Sequence, residues 1–300
     1  MMKRHKICKS ILIILTIFLC VALYELLGIC IAYKKQPEVS NTTREETQNA
    51  SWNEHSENME RAVIIEKNSE ALLQRVRLIQ NAKEKIILST FAFQSDESGK
   101  VILGALLDAA DRGVYVRVLV DGMESWIDME GNPYFYGLSS HGNVEVKLYN
   151  KANPLKPWKM MGRMHDKYLI ADGKTYILGG RNTYNYFLGD FPGHKNYDRD
   201  VLVDCKEPEK ENSVNQLLNY FETIWKQEDS SYFHNNKKLA NRKSVKNAVL
   251  ELQEGYRQYF EENKEIICDT DYTDETFETE KIALVSNPVH TGAKEPIVWY

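Results

Sequence analysis

The chain has 300 residues, 43% of them hydrophobic, enough for one large or two small domains with a real core. A formal net charge of −5 argues against a broad nucleic-acid footprint. Of five cysteines, Cys8, Cys20 and Cys30 lie in or beside the first apolar run; Cys205 and Cys268 are too few and too far apart for a disulfide framework or a zinc cluster.

Residues 11–33 are apolar apart from Thr16 and Glu25, long enough to cross a hydrocarbon core with some tilt. Lys3, Arg4, Lys6 and Lys9 precede the run, and Lys34 and Lys35 follow it. The basic excess before it favours an N-terminus in the cytoplasm and a globular part outside. The competing reading is a cleaved signal peptide, which the length of the run and the lack of a small-x-small site oppose. Glu25 is costly against lipid, so it belongs near an interface or against a partner helix. Residues 1–35 are thus read as a membrane anchor. Residues 36–60, rich in Asn, Thr, Ser and Glu, are read as a flexible linker. Asn41 and Asn49 stand in glycosylation sequons that matter only in a suitable secretory host.

From Ala62 the pattern alternates between strand and helix. Strands are predicted at 62–65, 86–93, 114–120 and 144–148, with helices at 69–82, capped by Ser69, and at 101–111, stopping at Arg112-Gly113. Two more short strands surround residues 164–178, and another covers 200–204. Residues 212–227 form an amphipathic helix with Val214, Leu217, Leu218, Phe221, Ile224 and Trp225 inward. Strands separated by helices imply an α/β fold: a mixed β-sheet flanked by helices on both faces, preceded by one N-terminal transmembrane helix. After the core, a helix is expected at 244–263, an acidic loop at 269–280, and a strand at 281–286. Asp269, Asp271 and Asp274 in that loop lack the glycine and final glutamate of a calcium loop, so they read as solvated.

The chemistry concentrates between Met164 and Asn182. His165 and Lys167 are two apart, which on a strand puts both on one face. Asp172 follows, then Gly179, Gly180 and Asn182. The glycines let backbone approach a ligand closely. An imidazole, an ammonium and a carboxamide brought together suit a phosphoryl group: Lys and Asn neutralise and orient oxygens while His attacks phosphorus.

The spacing His-x-Lys, four residues, Asp, six residues, Gly-Gly-x-Asn resembles the signature of the phospholipase D superfamily, with every element in register. Arg112-Gly113-Val114 and Leu119-Val120-Asp121-Gly122 resemble the family's strand before the active-site face, and Asn153-Pro154-Leu155, the run Gly179-Gly180-Arg181-Asn182-Thr183 and the run from Asn185 to Asp190 are most similar to bacterial cardiolipin synthase relatives. The resemblance covers roughly residues 60–228, one domain; the catalytic half is placed at 61–228. Residues 229–300 are read as a helical connector and the start of a possible second half. The resemblance implies His165 as nucleophile, and Lys167 and Asn182, with Gly179 and Gly180, as phosphate binders. It implies a reaction through a phosphohistidine with no metal and no cofactor. A nucleophilic imidazole wants a carboxylate on its far nitrogen; the resemblance points to Asp198, with Asp200 in reserve. Asp172 is divided between a site role and a structural turn.

Members of the family it resembles usually carry two such signatures, in one chain or across a dimer, and this sequence has one. His290 with Lys294, and His194 with Lys195, have the wrong spacing. The chain is therefore either a fragment, the reading its apolar ending Ile297-Val298-Trp299-Tyr300 favours, or a half that works as a homodimer. The expected substrate is a phospholipid in a bilayer, with no nucleic acid. The alternatives are a nucleic-acid phosphodiesterase and an inactive membrane-bound half-domain.

Overall fold

The computed structural model describes residues 2–34, 60–159, 162–208 and 212–286. Nearly all of the expected linker, both sequons, His290 and Lys294, and the apolar ending lie outside the described residues. The first element is helix α1 (Met2–Lys34), whose stretch Ile7–Ile31 is long and apolar enough to cross a membrane and is almost wholly exposed.

Strands β1 (Glu60–Ile65), β2 (Lys85–Thr90), β3 (Tyr115–Asp121), β4 (Val144–Tyr149), β5 (Tyr168–Ala171), β6 (Thr175–Gly179), β7 (Asp200–Asp204), β8 (Ser230–Tyr232) and β9 (Phe277–Thr279) form one sheet in the order β8-β4-β3-β2-β5-β6-β7-β1-β9. The trio β2, β3 and β4 is parallel and every other pairing is antiparallel. The expected mixed sheet is therefore present.

Alternation along the strands separates two apolar layers. Ile86 and Leu88 of β2, with Val116, Val118 and Val120 of β3, face α2 (Asn68–Asn81), α3 (Glu97–Asp111), α5 (Pro133–Ser139) and α7 (Lys243–Glu262). Ile87 and Leu119 face the opposite way, under Val214, Leu217, Phe221, Ile224 and Trp225 of α6 (Ser213–Trp225). Each fully buried Leu, Ile or Phe contributes about 1.5–3 kcal/mol, so both layers hold the sheet. Gly104 of α3 is needed where α7 crosses it: a Cβ there would lie 2.5 Å from the Leu252 carbonyl oxygen.

Several expectations are corrected. Helix α2 starts at Asn68, preceded by Lys67 rather than capped by Ser69; the Asn68 amide is spent on Tyr186 O and Asn196 O. Helix α3 begins a turn early, where Asp96 accepts from Gly99 N–H. The second strand stops at Thr90, and Phe93 leaves it to bridge Thr183. Residues 122–139, unassigned from sequence, hold α4 (Gly122–Asp128) and α5, capped by Asp121 and Asn132. Residues 281–286 form no strand. Arg61 clamps the preceding segment through Thr273 O, Thr276 O and Glu278, which sets Phe277–Thr279 as the strand beside β1. Ser230–Tyr232 and Phe277–Thr279, within the stretch 229–300 expected as a helical connector and the start of a possible second half, are the two edge strands of this sheet.

The topology gathers chain ends. The C-terminal ends of β1, β2, β3, β4 and β6 and the N-terminal ends of β5 and β7 share one edge of the sheet. Asp121 ends β3 at that edge, and Glu66, Phe91, His165, Gly180 and Asp198 lie just beyond strand ends there.

Candidate active site

His165 and Lys167 stand just before β5 in extended chain, so the two-residue spacing survives although the strand starts at Tyr168. Two bonds bring the second half of the motif alongside. Gly179 N–H donates to Lys167 O at 3.1 Å, and Gly180 N–H to Arg199 O at 3.2 Å. The next residues are stitched to the end of β2: Thr183 N–H donates to Ala92 O, and Gln94 N–H to Thr183 O. Asn182 is buried there, and its Oδ1 accepts from Ala92 N–H at 3.2 Å. With the oxygen committed, the amide nitrogen is the end left to donate.

Phe91 is the common neighbour of the charged groups. Its ring lies 4.7 Å from the His165 ring, edge-on. The Lys167 ammonium stands 5.4 Å from the ring centroid and the Arg163 guanidinium 5.3 Å. Lys167, 6% exposed, donates to the His165 carbonyl oxygen at 2.6 Å. Burial pulls its ammonium down to about 8, while the charges of Asp166 and Asp198 act in the opposite direction. His165 is exposed as a residue, yet partial enclosure of its ring and the Lys167 charge lower its pKa; the Asp121 charge opposes that, and the Arg163 charge adds to it. The shift favours the neutral imidazole, the state a nucleophile requires.

The residues just before and after His165 are held from two sides. Fully buried Asp121 accepts from Arg163 Nε at 2.9 Å and from Met164 N–H at 3.0 Å, and it caps α4. On the other side, Tyr220 of α6 donates to both carboxylate oxygens of Asp166, at 2.9 and 3.1 Å. The enclosed Asp166 carboxyl is pushed up to about 6 by burial, against the pull of Tyr220 and Lys167.

The expected carboxylates separate into different roles. Asp198 is exposed and accepts from Arg199 N–H; a Cβ on Gly180 would lie 2.0 Å from its Oδ2. Its charge acts on Lys167, whereas the carboxylate whose charge acts on His165 is Asp121. Asp200 is buried between Arg75 at 2.9 Å and Arg181 at 3.3 Å, and Arg181 is itself locked onto Asn68 Oδ1, Ile65 O and Glu66 O. This ion cluster ties β7 to α2 and fixes the loop carrying Asn182. Asp172 is not brought to the site. It follows the far end of β5, with φ +52°, and its carboxylate accepts from the backbone N–H groups of Lys83, Glu84 and Lys85.

Sequence reasoning missed Phe91, Arg163 and Tyr220. Arg163 had a signal, since it stands two residues before His165 as Lys167 stands two after. Phe91 and Tyr220 reach the site only through tertiary packing.

The family model described as "Cardiolipin synthase, PLD-like domain" matches residues 75–225. An uncharacterized protein of Helicobacter pylori is 36% identical over 141 residues, 43% of this chain and 28% of that protein. Cardiolipin synthase C of Escherichia coli is 32% identical over 139 residues, 42% of this chain and 28% of that enzyme. The match thus spans little more than a quarter of either relative. Among solved structures, NucT from Helicobacter pylori aligns with a TM-score of 0.45 at 18% identity, covering 58% of this chain and 99% of that one.

Proposed function

The chain belongs to the family of cardiolipin synthase PLD-like domains, and we propose that it is one catalytic half of a membrane-anchored phosphodiesterase or phosphatidyltransferase. The observation that carries this reading is the grouping of an imidazole, a buried lysine and an oriented carboxamide around Phe91-Ala92. Each does a separate task on a phosphodiester. Lys167 and the Asn182 amide bind non-bridging oxygens, and the bound anion favours the charged lysine. His165 attacks phosphorus in line, so that a P–N bond forms as the P–O bond to the first alcohol breaks. That alcohol takes its proton from the histidine of a second half. Water or another alcohol then gives its proton to the same histidine and attacks, breaking the P–N bond and freeing His165. Asp198, whose charge acts on Lys167, helps keep that ammonium charged. Asp121 and Arg163 set where His165 stands without touching substrate.

The second half comes either from a longer chain or from another copy. Helix α1 holds the site at the bilayer, so the substrate arrives by diffusion in two dimensions. The full chain offered labelled phosphatidylglycerol vesicles and single-stranded DNA side by side distinguishes the readings. Release or transfer of the phosphatidyl group supports lipid chemistry. Cleavage of DNA alone would replace it with a nuclease.

A further inference from the structure

Among the described residues, helix α1 packs against the loop ahead of the His165 segment. Tyr24 donates from its hydroxyl to Leu155 O at 2.9 Å. Gly28 lies so close to Pro157 that a Cβ there would stand 2.4 Å from the ring. The apolar stretch ends at Ile31. At 1.5 Å per residue, Gly28 is about 4.5 Å and Tyr24 roughly 10 Å inside that end. The loop is therefore held at the depth where hydrocarbon gives way to headgroups.

Its composition suits that depth. Leu155 is 77% exposed and Trp158 36% exposed, with Lys151 and Lys156 beside them. Met123 of α4 lines the same hollow as Lys156, Lys159 and Arg163. Trp126 and Ile127, three and four residues further along α4 and so on the same side of it, are 67% and 69% exposed. Two pairs of exposed apolar side chains, Leu155 with Trp158 and Trp126 with Ile127, come from the two segments that line this lysine-bearing hollow, and such surface is costly in water and favourable in an anionic membrane interface. Arg163 joins this patch to the catalytic site, since its guanidinium also lies over Phe91.

We propose that Leu155, Trp158, Trp126 and Ile127 insert into the headgroup boundary of the bilayer that α1 crosses. This second contact tilts the sheet edge bearing His165 toward the lipid surface. The inference rests on the anchor reading of α1 and adds a contact which that reading does not require.

The test uses the full chain in vesicles of phosphatidylglycerol and phosphatidylethanolamine carrying bromine near the start of the acyl chains. Shallow bromine is expected to quench tryptophan emission, and both W158F and W126F should lose a measurable part of that quenching while keeping the far-ultraviolet circular dichroism of the parent. Unchanged quenching in both variants would overturn the proposal. Carbonate extraction of the same vesicles reports α1 separately. A chain that stays in the membrane without Trp158 or Trp126 quenching refutes the loop contact alone, and a chain that washes out refutes the anchor with it.

Discussion

Replacing Asp172 separates a motif residue that holds the fold from one that does chemistry. Its carboxylate accepts three backbone N–H groups at the start of β2, at 2.8, 2.8 and 2.9 Å. Two of these donors are exposed and regain water when the carboxylate goes, so they cost the low end of about 0.5–1.5 kcal/mol each; the third is half-buried and costs more. Asp172 also sits at φ +52°, a region Asp and Asn tolerate and Ala resists by about 1 kcal/mol. D172A should therefore lose about 3 kcal/mol, near 1 M in urea midpoint for a domain of this size. D172N keeps one acceptor and the backbone preference, and should lose roughly half as much. The assay is urea unfolding followed by circular dichroism in detergent, with turnover measured on the folded fraction. Full turnover per folded molecule is expected. A D172A chain with parental stability and no turnover would refute the structural assignment.

The remaining predictions concern the site itself. The rate profile of kcat/KM against pH should fall on its acid side below 6.5, because His165 is lowered and stays neutral further into acid. On its alkaline side it should fall near 8 as Lys167 loses its proton, and K167R should move that limb upward; a limb unmoved in K167R would assign it elsewhere. D200A strands the buried guanidinium groups of Arg75 and Arg181 and should cost about 3–5 kcal/mol in urea unfolding; normal stability with lost turnover would return Asp200 to the catalytic candidates. In G180A the new Cβ displaces the exposed Asp198 carboxylate, whose charge acts on Lys167, so kcat/KM should drop about tenfold with the melting temperature nearly unchanged; unaltered kcat/KM would remove Asp198 from the site.

The periodicity of the chain was a sound guide to the sheet because each strand's alternation reports its own burial, as in Ile86-Ile87-Leu88, whose side chains divide between the two layers. Two short helices after Asp121 escaped notice because each starts from a cap, Asp121 or Asn132, rather than from a long apolar stripe. Strand β9 lies at Phe277–Thr279 rather than at 281–286 because Arg61, over two hundred residues away in the chain, holds that segment beside β1. The signature spacing puts His165, Lys167 and Asn182 near one another because fixed offsets along paired strands translate directly into position at one sheet edge. It could not sort the carboxylates. Asp172 and Asp200 have sequence surroundings as suggestive as Asp198, and only the N–H groups of residues 83–85 and the guanidinium groups of Arg75 and Arg181 reveal what they hold.

The most direct measurement is covalent trapping. The full-length protein, assembled with its second half, is mixed with phosphatidylglycerol labelled in the phosphate and quenched in alkali, where a P–N bond survives and a carboxylate ester of phosphate does not. Label on the peptide containing His165, absent from H165A of parental stability, is the expected result. Label persisting in H165A, or phosphatidyl transfer by that variant, would contradict the assignment of His165 as the attacking group.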